Sequence, residues 1–187
     1  MAQQWLLQNQ HLVDAYTVDR AKKSLEKGYK KLMSYQTSEG GFEWFGGSPP
    51  VETLTAYGIV ELYDMKSLYD GLVNSSKLHR ASDWLIRRKT GTGTFNYGSK
   101  MYQFGGYAEK HIKNAYIVWT LTEANREYHD KLTKEIDWLL NITKSKIEIS
   151  TYFISLLALI LYNVNKSKEA EEFADMLTKY QELEKEE

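Results

Sequence analysis

The chain has 187 residues, 42% of them hydrophobic and 26% charged, a formal net charge of −1 and no cysteine. That length fits one domain, and lysines and arginines interspersed with acids leave no electrostatic footprint for nucleic acid or an anionic lipid surface. Without cysteine, this chain holds no disulfide, thiolate zinc site or thiol nucleophile.

Met1-Ala2-Gln3-Gln4-Trp5 lacks the basic start and apolar core of a secretory leader, and Met1 is read as a boundary inside a longer parent chain. Two prolines and little strand-like alternation predict an all-α protein. The first predicted helix carries Gly28, Leu32, Gln36 and Gly40 at a spacing of four, which puts the first three near one helical face. Gly40-Gly41 is expected to end that helix, because glycine takes positive φ cheaply at a C-terminal cap. Phe42, Trp44 and Phe45 are then expected to cover the end of the helix pair. A second helix follows with Leu54-Thr55-Ala56-Tyr57-Gly58-Ile59-Val60.

The layout returns 53 residues later in Ala81-Ser82-Asp83-Trp84-Leu85-Ile86 and Gly93-Thr94-Phe95-Asn96-Tyr97. Leu32 pairs with Leu85, Gly40 with Gly93, Phe42 with Phe95 and Trp44 with Tyr97. The apolar helix after this copy carries Asn114-Ala115-Tyr116-Ile117-Val118-Trp119. A third copy, Ile136-Asp137-Trp138-Leu139-Leu140, lacks the Gly-Phe ending, turns through Lys144-Ser145-Lys146 and leads into Ser150-Thr151-Tyr152-Phe153-Ile154-Ser155-Leu156-Leu157. The uncharged run Ile149–Asn163 is shorter than the roughly 20 residues a membrane span needs and is expected to be a buried inner helix. The acidic segment from Glu169 places Phe173, Leu177 and Tyr180 along one face of a last, outer helix, with a frayed end at Glu184-Lys185-Glu186-Glu187.

Amphipathic helices thus alternate with nearly all-apolar ones. The former show one face to water, and the latter are expected to be buried on both sides. Two concentric rings of helices satisfy that alternation, so the expected architecture is an α/α toroid, here an incomplete ring. Residues 1–187 form a single such domain or a fragment of a larger multidomain protein.

Chemistry-bearing motifs are sparse. His11, His79, His111 and His129 show no metal-ligand spacing; His111 begins an inner helix and is expected to be a satisfied helix-terminal histidine. Glu39 and Glu43 flank the glycine turn, where a buried pair could do acid–base work, but exposed, structural roles are expected. Gly40, Gly41, Phe42, Trp44, Gly93, Phe95 and Tyr97 are assigned to structural turns, with Phe42 and Phe95 plugging gaps between hairpins. Lys100, Met101, Tyr102 and Phe104 form a candidate interaction loop, since exposed aromatics fill partner pockets or stack on sugars. Asn74-Ser75-Ser76, Asn141-Ile142-Thr143 and Asn165-Lys166-Ser167 match the glycan-acceptor pattern. No catalytic, cofactor-binding or metal residue is assigned.

The order of segments resembles the thioester domain of the alpha-macroglobulin and complement family. That family ends a helix in Asp-Gly-Ser-Phe or a similar turn, then an aromatic loop, then a Leu-Thr-Ala-Phe helix. Here the corresponding residues are Glu39-Gly40-Gly41-Phe42, Trp44-Phe45 and Leu54-Thr55-Ala56-Tyr57. A Trp-Leu-Leu helix, a second Gly-x-Phe turn, a longer loop closing in Gly-Gly and another apolar helix come next. They match Trp84-Leu85-Ile86, Gly93-Thr94-Phe95, the loop to Gly105-Gly106, and Asn114-Ala115-Tyr116. The likeness covers most of residues 20–180. The first repeat also resembles the glutamine-tryptophan repeat of terpenoid cyclases, but their Asp-x-Asp-Asp motif is missing, and no cysteine is available for a prenyltransferase zinc site.

The resemblance implies a non-enzymatic scaffold within a protease-trapping or complement-like defence protein. Its partners would be neighbouring domains of the parent and, through the parent, target proteases or surfaces. No nucleic acid, cofactor or membrane insertion is expected, and the parent would be secreted, periplasmic or at the cell surface. The family's Cys-x-Glu-Gln is absent: either it lies upstream, or this branch of the family lacks it. The family's loop histidine is also absent, the nearest positions being Lys100 and Met101, so an aminolysis-type or non-covalent trap is expected. The competing expectations are a toroid enzyme acting on polysaccharide or isoprenoid, marked by a carboxylate-lined cleft, and a helical-repeat interaction module, marked by a polar concave face.

Overall fold

The computed structural model describes residues 9–47, 49–98, 109–145 and 149–183. Among them the regular structure is helical, with two isolated β-bridges and no sheet. The α-helices are α1 (Ala15–Met33), α2 (Glu52–Leu68), α3 (Ser75–Arg87), α4 (Lys110–Ala124), α5 (Thr133–Thr143), α6 (Thr151–Asn163) and α7 (Ser167–Leu183). The chain divides into two compact units, 1–86 and 87–187, at the last turn of α3.

In the first unit, α1 starts at Asp14, whose carboxylate accepts the Thr17 amide at 2.9 Å and the Thr17 hydroxyl at 2.8 Å. These bonds satisfy an otherwise orphaned helix donor and hold the Asp14 carboxyl below its ordinary pKa, the Thr17 amide contributing most. The stability gained is therefore present above the ordinary carboxylate range and fades as pH falls through the lowered value. Ala21 and Leu25 are the buried residues of α1, packed against Val18, Met65, Leu68, Tyr69 and Leu72.

Helix α1 ends at Met33, earlier than the glycine pair suggests. Ser34 donates its amide to Lys30 and Lys31, Tyr35 to Leu32, and Gln36 to Met33. These tightening bonds use up the last helical carbonyls before Gly40 is reached. Gln36 thus lies outside the helix, and Gly40 sits at the tip of a separate turn. Helix α2 buries Thr55, Ala56, Gly58, Ile59 and Leu62, and α3 buries Leu78, Ala81, Ser82, Trp84 and Leu85.

In the second unit α4 packs against α5 and α6, and α6 against α7. Helix α4 buries Asn114, Ala115, Ile117, Val118 and Leu121; short 3₁₀ turns at Arg126–Tyr128 and Asp130–Leu132 lead into α5. Helix α6 buries Phe153, Ile154, Leu156, Leu157, Ile160 and Leu161. It is not buried all round: Tyr152 is 51% exposed, Leu159 44% and Tyr162 68%. Their spacing is that of one helical face, so an apolar helix presents a stripe to solvent. In α7, Ala170 is buried while Phe173 and Leu177 are half-buried; the Tyr180 side chain and residues 184–187 lie outside the described residues. The third copy turns through Lys144 and Ser145, and Lys146 is likewise outside.

Candidate functional site

The two Gly-x-Phe turns are built by the same set of hydrogen bonds. In the first, Thr37 donates its amide to Gly41 at 2.8 Å and Glu43 donates to Tyr35 at 3.1 Å. In the second, Thr90 donates to Thr94 at 2.9 Å and Asn96 to Arg88 at 2.7 Å. Single antiparallel bridges, Gln36–Phe42 and Lys89–Phe95, close both. Gly40 at φ +107° and Gly93 at φ +90° take backbone conformations that L side chains rarely adopt, which is why the tips need glycine.

Each turn is tied to the helix that follows it, the first to α2 and the second to α4. The Phe42 amide donates to Thr55 Oγ1 at 2.8 Å, and the Phe95 amide to Asn114 Oδ1 at 3.2 Å. Phe42 and Phe95 are 1% and 2% exposed. Gly58 makes room for Phe42: a Cβ there would stand 2.7 Å from the Phe42 ring. Tyr97 is half-buried and its hydroxyl donates to Asn114 Oδ1 at 2.9 Å. Replacing Thr55 by valine keeps the shape but orphans a buried amide, and is expected to cost about 1–3 kcal/mol. Urea denaturation checks this, with Thr55→Ser expected to stay close to the parent chain.

Each turn is also seated on a later helical segment, the first on α3 and the second on α5 and the 3₁₀ turn before it. Gln36 Nε2 donates to the Lys77 carbonyl at 3.0 Å, and Arg80 donates to the Ser38 carbonyl at 2.5 Å. In the second copy Lys89 donates to the Lys131 carbonyl, and Lys134 to the Gly91 carbonyl at 3.4 Å. The glycine tips touch that helix backbone: a Cβ on Gly40 would lie 2.9 Å from the Arg80 carbonyl oxygen, and one on Gly93 2.7 Å from that of Lys134. Gly41 is enclosed too, its hypothetical Cβ falling 2.9 Å from Trp84 and 2.5 Å from Pro50.

The second seat includes an ion pair that the sequence did not reveal. Lys89 Nζ stands 2.9 Å from Glu135 Oε2, and the Glu135 side chain is fully buried. Neither carboxylate oxygen makes a hydrogen bond of good geometry, so the lysine charge is its compensation. Lys89→Met would leave a buried charge unpaired and is expected to cost about 3 kcal/mol or more. Glu135→Leu in the same chain should recover most of that loss. Equal stability of Lys89→Met and the parent chain in guanidinium melts would show that the pair contributes nothing.

The two carboxylates flanking the first turn part company. Glu39 is exposed, while Glu43 is 4% exposed, a correction to its expected solvent position. Glu43 Oε2 accepts the Phe45 amide at 2.8 Å and the Gly47 amide at 3.1 Å, whereas Oε1 is buried with no hydrogen-bond partner among the described residues. Backbone donors, not a neighbouring acid, explain the burial. Neither glutamate lines the open depression between Glu26, Tyr29, Tyr69 and Asp70. Trp44 is 43% exposed and Phe45 88%; they do not cover the helix ends, because Glu43 occupies the space beneath that turn. Gly46 closes the loop with φ +75°.

His111 lies in the first turn of α4, buried, with Nδ1 3.2 Å from Glu109 and its ring edge-on to Phe153 at 5.0 Å. His129 bonds the Thr122 carbonyl at 2.9 Å; His11 and His79 are exposed. Among the described residues no group of three or more potential ligands converges on a metal position. Lys100, Met101, Tyr102, Phe104 and Gly105-Gly106 lie outside the described residues. Helices α2, α4 and α6 each carry a tyrosine in their first two turns: Tyr57 is 50% exposed, Tyr116 half-buried and Tyr152 51% exposed. A hydrogen bond to Glu61 raises the Tyr57 pKa, and burial raises that of Tyr152.

Helices joined by repeated turns that dock on the next helix define a helical-hairpin repeat protein. The chain belongs to the A-macroglobulin TED domain family, whose model matches residues 1–187, the whole chain. No curated protein matches it. No helix of the described residues is long and apolar enough to cross a membrane.

Proposed function

We propose that this chain is the non-catalytic helical scaffold of a thioester-type domain in a protease-trapping or complement-like defence protein. The parent would be secreted, periplasmic or displayed at the cell surface. The scaffold would hold a thioester contributed by an upstream Cys-x-Glu-Gln and pack against neighbouring domains of the same parent, its hairpins forming part of an α/α ring. The observation that carries this proposal is the doubled joint. Residues that could have formed an acid–base pair or an aromatic subsite, Glu43, Phe42, Phe95 and Tyr97, are committed to holding turns together. The exposed Trp44-Phe45 turn is a surface for a neighbouring domain. With no histidine between Asn96 and Phe104, the parent's thioester would react with amines directly.

Labelled methylamine tests the proposal. The parent protein should incorporate it, and replacing the upstream cysteine by alanine should abolish uptake, while the present cysteine-free chain takes up none. Uptake unchanged by that replacement would overturn the thioester assignment. Glycosidase or isoprenoid-cyclising activity in the isolated chain, lost on Glu39→Gln or Glu43→Gln with the fold intact, would favour the enzyme class instead.

A further inference from the structure

The sequence carries Asn-x-Ser/Thr at Asn74, Asn141 and Asn165. Asn74 immediately precedes α3, Asn141 lies in α5, and Asn165 precedes α7 by one residue. All three are exposed, whereas of the other five asparagines only Asn96 is. Helices α2, α4 and α6 carry no such motif.

The three differ in what their side chains already do. Asn74 Oδ1 accepts the Ser76 amide at 2.9 Å and the Ser76 hydroxyl at 2.7 Å, capping the start of α3. Asn141 sits inside a helix, and the hydroxyl of its partner Thr143 is bonded to the Leu140 carbonyl at 2.8 Å. Asn165 has neither commitment. It occupies the left-handed position after α6 at φ +62°, with its amide on Tyr162 and the Lys166 amide on Leu161. This Schellman closure explains why asparagine is accepted at the position. It does not call for Ser167 two residues on, and it directs the carboxamide into solvent with a hydroxyl residue at the required spacing.

We propose that Asn165, exposed in the turn between α6 and α7, is an N-glycan acceptor. The proposal rests on the secreted or cell-surface alternative proposed above for the parent. In the transfer, the Asn165 side-chain nitrogen forms a bond to C1 of a lipid-pyrophosphate-linked oligosaccharide. The C1–oxygen bond to pyrophosphate breaks, lipid pyrophosphate leaves, and the amide loses one proton.

The test is secretion of the full 187-residue chain, behind a heterologous leader, from a eukaryotic cell, followed by peptide N-glycosidase and peptide mass analysis. Glycosidase should increase the mobility of the chain and convert Asn165 to aspartate. Asn165→Gly, which keeps the left-handed turn, and Ser167→Ala should each remove that modification, and Ser167→Thr should retain it. Unchanged mobility, or glycans only on Asn74 or Asn141, would overturn the proposal. The outcome is separable from the thioester assignment, because methylamine uptake by the parent does not depend on a glycan.

Discussion

Phe42→Ala is expected to destabilise the first unit by about 3–5 kcal/mol, the range for emptying a well-packed aromatic site. Phe42 is 1% exposed, and its ring lies where a Cβ on Gly58 would have to go. Its backbone is pinned on both sides: the amide donates to Thr55, and the carbonyl accepts the Val51 amide at 2.8 Å. The neighbourhood therefore cannot collapse to fill the hole, which pushes the cost toward the upper end. Trp44→Ala, two residues on and 43% exposed, should cost less than about 1 kcal/mol, as surface substitutions generally do. Denaturant midpoints for the two variants check this; equal shifts would contradict the assignment of Phe42 as plug and Trp44 as surface.

Among the described glycines of the second unit, Gly93→Ala should be the most damaging substitution. Two independent penalties meet there. The residue adopts φ +90°, and a Cβ would fall 2.5 Å from the Trp138 Cβ and 2.7 Å from the Lys134 carbonyl oxygen. Backbone strain contributes about 1–3 kcal/mol. Forcing α5 away adds about 1–3 kcal/mol more, since a helix backbone cannot rotate aside as a side chain can. Gly91→Ala is the control: its φ is +80° with nothing within 4 Å of the new Cβ, so it pays strain alone. Thermal unfolding should therefore rank Gly93→Ala well below Gly91→Ala. The same ranking read the other way would mean that the turn does not seat on α5.

The repeat was legible because the residues that make it are apolar and fixed in spacing. Leu85, Phe42 and Phe95 are buried for the reason their 53-residue offset suggested. The Glu39-Gly40-Gly41-Phe42 and Leu54-Thr55-Ala56-Tyr57 order pointed to the family that the whole chain matches. Helix boundaries were less legible: Gly40 promised the end of α1, but Ser34 and two tight turns end it first. What sequence could not show is how a turn finds the helical segment on which it sits. Gln36 and Lys89 reach backbone carbonyls of Lys77 and Lys131, and carbonyls leave no mark in composition. Glu43 was misplaced for a related reason. A carboxylate satisfied by the amides of Phe45 and Gly47 is indistinguishable in sequence from one satisfied by water. Lys89 and Glu135 stand 46 positions apart, too far for any periodicity to couple them.

The role given to the Gly-x-Phe turns, structural joints built twice and not sites of chemistry, is tested most directly by amide hydrogen exchange at Phe42 and Phe95. Both amides are buried and bonded to an inner-helix side chain. They should exchange only through the cooperative opening of their own unit, as slowly as the amides of Ile59 and Val118 in the inner helices. Thr55→Val should release the first without touching the second. Exchange of either amide in the parent chain at the rate of an open loop would contradict the joint.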